Sequence, residues 1–219
     1  MKKTGDWWFP EGETHLIEWI SNPKNKLSLN GREAYQGKKQ SEVISKCKSF
    51  GTAVDIGGHV GLWSYNLSYS FNSVHAFEPV QAHRDCFTKN VLEHRGNVTL
   101  HACALGYKEG SIEIRTEVAS SGDSRVNGPG DIPLKPLDSF KLKDVDLIKI
   151  DCEGYELFAL MGAVKTIKKF KPVIIVEQKP GHAQRYGLGE KEAVSYLKGL
   201  GYHLIKEMAG DFILSTRKD

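Results

Sequence analysis

Thr52-Ala53-Val54-Asp55-Ile56-Gly57-Gly58-His59-Val60-Gly61 joins a short apolar run, ending in a carboxylate, to a glycine-rich turn. The pattern that follows, over residues 62–69, reads as helix. A first parallel strand hands over to a nucleotide-binding turn and helix in this way. Glycines let backbone approach a ligand closely, and the free N–H groups of a helix start point at it. The spacing is Gly-Gly-x-x-Gly rather than the full Gly-x-Gly-x-x-Gly, so a tight turn without a ligand fits it as well. Gly57, Gly58, His59 and Gly61 are the candidate cofactor contacts of this turn.

The carboxylate selects among nucleotides. A pyrophosphate at the turn would face Asp55 at short range. Two like charges about 4 Å apart repel by roughly 1 kcal/mol in water and about 4 at an effective dielectric near 20. A ligand carrying an ammonium and a sulfonium would be attracted instead. S-adenosylmethionine has both, so the charge favours a methyl donor over NAD.

Outward from this stretch the chain alternates. Strands are expected over 53–56, 73–77, 98–102, 147–150, 173–176, 202–206 and 212–215, and helices over 62–69, 82–93, 155–170 and 190–200. Strands alternating with helices imply an α/β, doubly wound, mostly parallel sheet covered on both faces. The last two strands, joined through Met208-Ala209-Gly210-Asp211, read as a hairpin, so the final strand of the seven should run antiparallel. Residues 111–139 are polar and irregular and suggest a long loop or hairpin excursion; long excursions in compact domains are often functional. Residues 1–50 lack the strand–helix alternation. They read as a helical cap lying over a domain formed by 51–219. Their aromatics, Trp7-Trp8-Phe9, suit either a substrate mouth or a plug for the open end of the core.

Composition bounds the function. The chain has 219 residues, 40% hydrophobic and 26% charged, the profile of a globular domain with a real core. A formal charge of +3 without a dense Lys/Arg block gives no reason to expect a nucleic-acid partner. No apolar run approaches the roughly 20 residues that span a bilayer, and no apolar segment follows Met1-Lys2-Lys3, so neither a membrane partner nor a secretory signal is expected. Cys47, Cys86, Cys103 and Cys152 form no Cys-x-x-Cys pair, which suits reduced thiols in the cytoplasm. Cys152, next to Asp151, is read as a packing residue rather than a nucleophile.

The strand ends carry the remaining candidates. Glu78, before Pro79 and about twenty residues past the glycine turn, could accept both hydroxyl hydrogens of a ribose. Cys103 and Ala104 follow the third strand beside the expected crevice, where small side chains could hold an adenine. Asp151 ends the fourth strand, at the carboxyl edge where ligands bind. Glu153 and Glu156 favour the dipole of the next helix. Lys149, inside a covered strand, needs a partner, Glu177 or another strand-end carboxylate. Asp151, Glu177 and Gln178 could offer oxygens to a divalent cation such as Mg²⁺, or position a substrate hydroxyl. His182 is a second candidate proton acceptor beside Asp151.

With these residues named, the chain resembles the FkbM family of SAM-dependent methyltransferases. The resemblance rests on Asp55-Ile56-Gly57-Gly58-His59-Val60-Gly61, Phe77-Glu78-Pro79, Ala104-Leu105-Gly106 and Lys149-Ile150-Asp151-Cys152-Glu153-Gly154-Tyr155-Glu156. Gly58 and His59 stand where the family more usually has Ala and Asn. The resemblance implies a seven-stranded Rossmann-like sheet and methyl transfer to oxygen, commonly a hydroxyl of a sugar or other small molecule. An NAD(P)-dependent oxidoreductase and a non-catalytic nucleoside-binding domain are the alternatives that the residues leave open.

Overall fold

A computed structural model describes residues 1–217. The central sheet has seven strands: β1 Thr52–Ile56, β2 Ser73–Phe77, β3 Val98–His101, β4 Val145–Ile150, β5 Val173–Glu177, β6 His203–Met208 and β7 Asp211–Ser215. Their spatial order is β6-β7-β5-β4-β1-β2-β3, parallel except that β7 runs antiparallel to both its neighbours. This is the sheet expected from the sequence. β1 and β5 are buried at every position, Asp55 included, as strands covered on both faces are.

The helices are α1 His15–Ser21, α2 Gly37–Ser45, α3 Leu62–Ser70, α4 Gln81–Phe87, α5 Glu156–Met161, α6 Val164–Phe170 and α7 Glu192–Gly199. The single helix expected over 155–170 is two, broken at Gly162-Ala163. A Cβ at Gly162 would lie 2.0 Å from the Gly106 carbonyl oxygen, so the break admits a close backbone approach. Likewise α4 ends at Phe87 and passes into a wider turn over Thr88–Leu92.

The excursion is ordered. Ile132–Lys135 pairs with Ala104–Leu105 and with Gly110–Ile112, and Ile114–Arg115 pairs with Arg125–Val126. The first fifty residues form two short hairpins with α1 and α2. Trp7, Phe9, Leu16 and Ile20 are buried against Val60, Tyr65, Phe87 and Val91. The Trp7 indole N–H donates to the Glu33 carbonyl at 2.7 Å. Trp7 and Phe9 therefore plug the core, while His15, Leu16 and Tyr35 of the same segment reach a cleft wall.

Strand order reverses between β1 and β4: the chain goes from β1 outward to β2 and β3, then returns to start β4 on the other side. The crevice at the carboxyl ends of these two strands is where open α/β sheets bind ligands. Register completes the arrangement, because Lys149 of β4 lies directly opposite Asp55 of β1.

Candidate functional site

A cleft open to solvent lies over this crevice. Its walls include Gly57, Gly58 and His59 after β1, Glu78 and Pro79 after β2, Ala104 and Leu105 after β3, and Asp151 after β4. Gly57 has φ +78°, and a Cβ there would stand 1.9 Å from the Asp151 carbonyl oxygen. Only glycine lets the β1 and β4 loops touch.

Glu78 is buried and shapes the turn. Its Oε2 accepts the His59 N–H at 2.9 Å, while Oε1 accepts the Val80 N–H at 2.8 Å and lies 3.1 Å from His83 Nδ1. A carboxylate has about four lone-pair sites, so capacity for a further hydroxyl hydrogen remains. Burial, then neighbouring His83, holds the His59 imidazole well below its ordinary acidity range. The neutral ring sits 2.8 Å from Ser121 Oγ, and Ser121 donates to Glu13.

Asp55 does not face the cleft. It is fully buried, accepts from Ser64 Oγ at 2.6 Å and lies 3.2 Å from Lys149 Nζ. The guarding charge expected from the sequence is thus neutralised inside the protein, which removes the electrostatic argument against a pyrophosphate. Lys149 also donates to the Gly57 carbonyl at 2.8 Å. Burial opposes its charge, but Asp55 and Asp151 outweigh burial and raise its pKa. Its partner is Asp55 rather than Glu177, whose Oε2 is 2.8 Å from Lys179 Nζ.

Three further expectations change. Gly61 caps α3 at φ +92°, where a Cβ would strike Val91, so its role is in the turn. Cys103 packs in the core beside Phe77 and Leu137, leaving Ala104 on the cleft wall. Gln178 Oε1 accepts the Ala193 and Val194 N–H groups of α7, so it is not free to ligate a cation with Asp151 and Glu177. Burial and adjacent Glu156 push the Cys152 thiol well up, which suits packing and not nucleophilic attack.

Around Asp151 the site is acidic and densely coupled. Burial would raise the Asp151 pKa, but Lys149, Lys179 and a hydrogen bond from Glu177 hold it below the usual range. Glu177 is pushed up to about 9 by burial and by Asp151, so it carries the shared proton at neutral pH. Glu153, pushed up to about 8 by the same causes, turns toward His182. His182 lines an adjoining depression with Arg125, Arg185 and Glu153 and is absent from the main cleft wall. Sequence reasoning missed Tyr35 and Lys179, both on the cleft wall, and gave Glu153 only to the helix dipole. The spacing of Lys179 two residues past Glu177 was the available signal for the former pair's cation.

Glu156 provides a pH test. Burial pushes its carboxyl up to about 7, although its Oε1 accepts the Gly154 N–H at 2.8 Å and the Cys152 N–H at 3.2 Å. A raised folded-state value means that the folded chain keeps a proton the unfolded chain releases. This contribution is fully present below about 4.5 and is lost as pH rises toward about 7. Glu156→Gln, which keeps the accepting oxygen, should therefore flatten the decline in melting temperature between those values. Parallel melting curves for parent and variant across that window would remove the assignment.

Comparison with known proteins agrees with this geometry. The methyltransferase FkbM domain model matches residues 55–204. The hexuronic acid methyltransferase AglP of Haloferax volcanii is 27% identical, with 55% of this chain and 53% of that protein covered. The chain spans little more than half the length of the curated relatives it matches, 57% and 53%. Among solved structures, methyltransferase FkbM from Methylobacillus flagellatus superposes with a TM-score of 0.51 at 19% identity, covering 76% of this chain and 44% of that one. A Streptococcus mutans protein solved in complex with SAH gives 0.51 at 13% identity, covering 82% and 94%. The sheet order, the β1 and β4 loops and a match across most of the sequence have one reading: this chain belongs to the FkbM family of SAM-dependent methyltransferases.

Proposed function

We propose that the chain binds S-adenosylmethionine in the main cleft and methylates a hydroxyl of a sugar or other small acceptor. The observation that carries this reading is the pairing of Glu78 and Asp151 on one cleft wall, either side of the Gly57-Gly58 turn. The donor set fits a nucleoside: Glu78 has accepting capacity, and Val80, Leu105 and Phe77 supply apolar surface beside it. When bound, the cofactor supplies a methyl group on a sulfonium, a good leaving group, so the protein's main task is alignment. Asp151 accepts the hydrogen bond of the acceptor hydroxyl and fixes its oxygen. Of the proton-handling candidates Asp151 and His182, only Asp151 lines the cleft. The hexuronic acid activity of a relative supports a sugar acceptor. No helix among the described residues is long and apolar enough to cross a membrane; with four free cysteines, work in the reducing cytoplasm is part of the proposal.

Incubating the chain with labelled S-adenosylmethionine and a panel of hexuronic acids, neutral sugars and their nucleotide conjugates tests the acceptor. Label in a methyl ether supports the reading, and transfer only to nitrogen or carbon acceptors overturns it. The cofactor site has its own test. Losing a hydrogen bond to a charged group costs about 1.5–3 kcal/mol, so Glu78→Ala should weaken S-adenosylmethionine binding roughly 10- to 150-fold by calorimetry. Equal affinity in parent and variant would take Glu78 out of the ribose site.

A further inference from the structure

We infer that Glu153, Glu177 and His182 form a divalent-cation site at the junction of the main cleft and the adjoining depression. The three come from two loops at the carboxyl edge of the sheet: Glu153 follows β4, Glu177 ends β5, and His182 lies five residues further on. One ligand atom from each lies within 4.8 Å of the others. Ligands held about 2.0–2.2 Å from a metal are roughly 3 Å apart when adjacent and just over 4 Å when opposed. At 2.8 Å between His182 Nδ1 and Glu153 Oε2, and within 4.8 Å throughout, the cluster needs only a small inward shift to reach that spacing. The two loops are also in backbone contact, since a Cβ at Gly154 would lie 2.4 Å from the His182 carbonyl oxygen.

A second observation points to a ligand. Glu153 is only 5% exposed, yet its Oε2 has no hydrogen-bond partner. His182 Nδ1 stands 2.8 Å away, but the contact lacks hydrogen-bond geometry. A buried carboxylate oxygen without a donor is costly and calls for a reason. A cation shared with the imidazole nitrogen supplies one. Lys179 Nζ now stands 2.8 Å from Glu177 Oε2, and its side chain is 43% exposed, so its ammonium can swing into solvent and yield the position.

Two carboxylates and an imidazole suit a divalent first-row ion such as Mn²⁺, Fe²⁺ or Zn²⁺ better than Ca²⁺ or Mg²⁺, which prefer oxygen alone. The set differs from the Asp151–Glu177–Gln178 combination expected from the sequence, because Gln178 is committed to α7. Glu153 lines both cavities, so open coordination positions would face the acceptor; that role rests on the methyltransferase reading, whereas the site itself does not.

Tag-free chain, stripped with a chelator and titrated with Mn²⁺, tests the inference by electron paramagnetic resonance. The expected result is one bound Mn²⁺ per chain with spin-echo modulation from a single histidine nitrogen. His182→Gln should abolish that modulation and weaken binding by at least roughly tenfold, as should Glu153→Gln for affinity. Lys179→Met should tighten binding severalfold by removing the competing ammonium. No binding at millimolar Mn²⁺, binding without nitrogen modulation, or unchanged affinity in His182→Gln would each overturn the site. None of these readouts uses methyl transfer, so failure here leaves the proposed reaction standing.

Discussion

Lys149→Met is expected to cost about 3–5 kcal/mol of folding stability, the usual penalty for removing one partner of a buried ion pair. Asp55 is wholly inaccessible to solvent, and without the ammonium at 3.2 Å it keeps only the Ser64 hydroxyl. Methionine fills much of the lysine stem's volume, so the loss reports charge rather than a cavity. For a chain of this size the penalty corresponds to a melting temperature lower by roughly 6–20 °C. Asp55→Asn combined with Lys149→Met should recover most of the loss, because position 55 then holds no unpaired buried charge. Denaturant titration of the four proteins gives the coupling directly. A single variant within about 1 kcal/mol of the parent, the range of exposed pairs, would show that the pair contributes no more than an exposed one. The same ammonium holds the Gly57 carbonyl, so this stability term and the glycine turn share one group.

The ion pair marks the boundary of what the chain discloses before it folds. Alternating apolar runs and turns were enough for the mostly parallel seven-stranded sheet and the antiparallel β7, because a fully buried strand such as Val173–Glu177 needs an unbroken apolar run. The glycine turn and Glu78 were legible for the same reason: close backbone approach and a strand-end carboxylate are local signals. Asp55 was legible only as a charge. Which way it points depends on its register against Lys149, ninety-odd residues away, and no local pattern sets that register. Gln178 was misassigned for a similar reason, since its oxygen answers the N-terminus of α7. Glu153 reads as an ordinary helix-start acid, yet at φ +56° it turns back toward His182. Long-range pairing decides each of these cases.

Asp151→Asn is expected to lower turnover about 100-fold with the acceptor that the panel identifies, the scale of loss when a reacting group is displaced by about 1 Å. The charge state decides how Asp151 can act. Lys149, Lys179 and the proton on Glu177 keep its pKa below the usual carboxylate range, so it remains ionised at neutral pH and is a weak base. A weak base with free lone pairs is suited to orienting a hydroxyl through a hydrogen bond. Asparagine keeps the shape and one accepting oxygen but loses the charge, so affinity for S-adenosylmethionine should stay close to the parent's while turnover falls. The pH profile separates the two roles. An orienting Asp151 stays charged through the neutral range and leaves the acid side of kcat/KM flat there. A proton-accepting Asp151 would give a limb near neutrality and a loss reaching about 10⁴-fold on substitution. Full turnover in the variant would end either role, and would direct attention to Glu153, a carboxyl two residues further on that lines the same cleft.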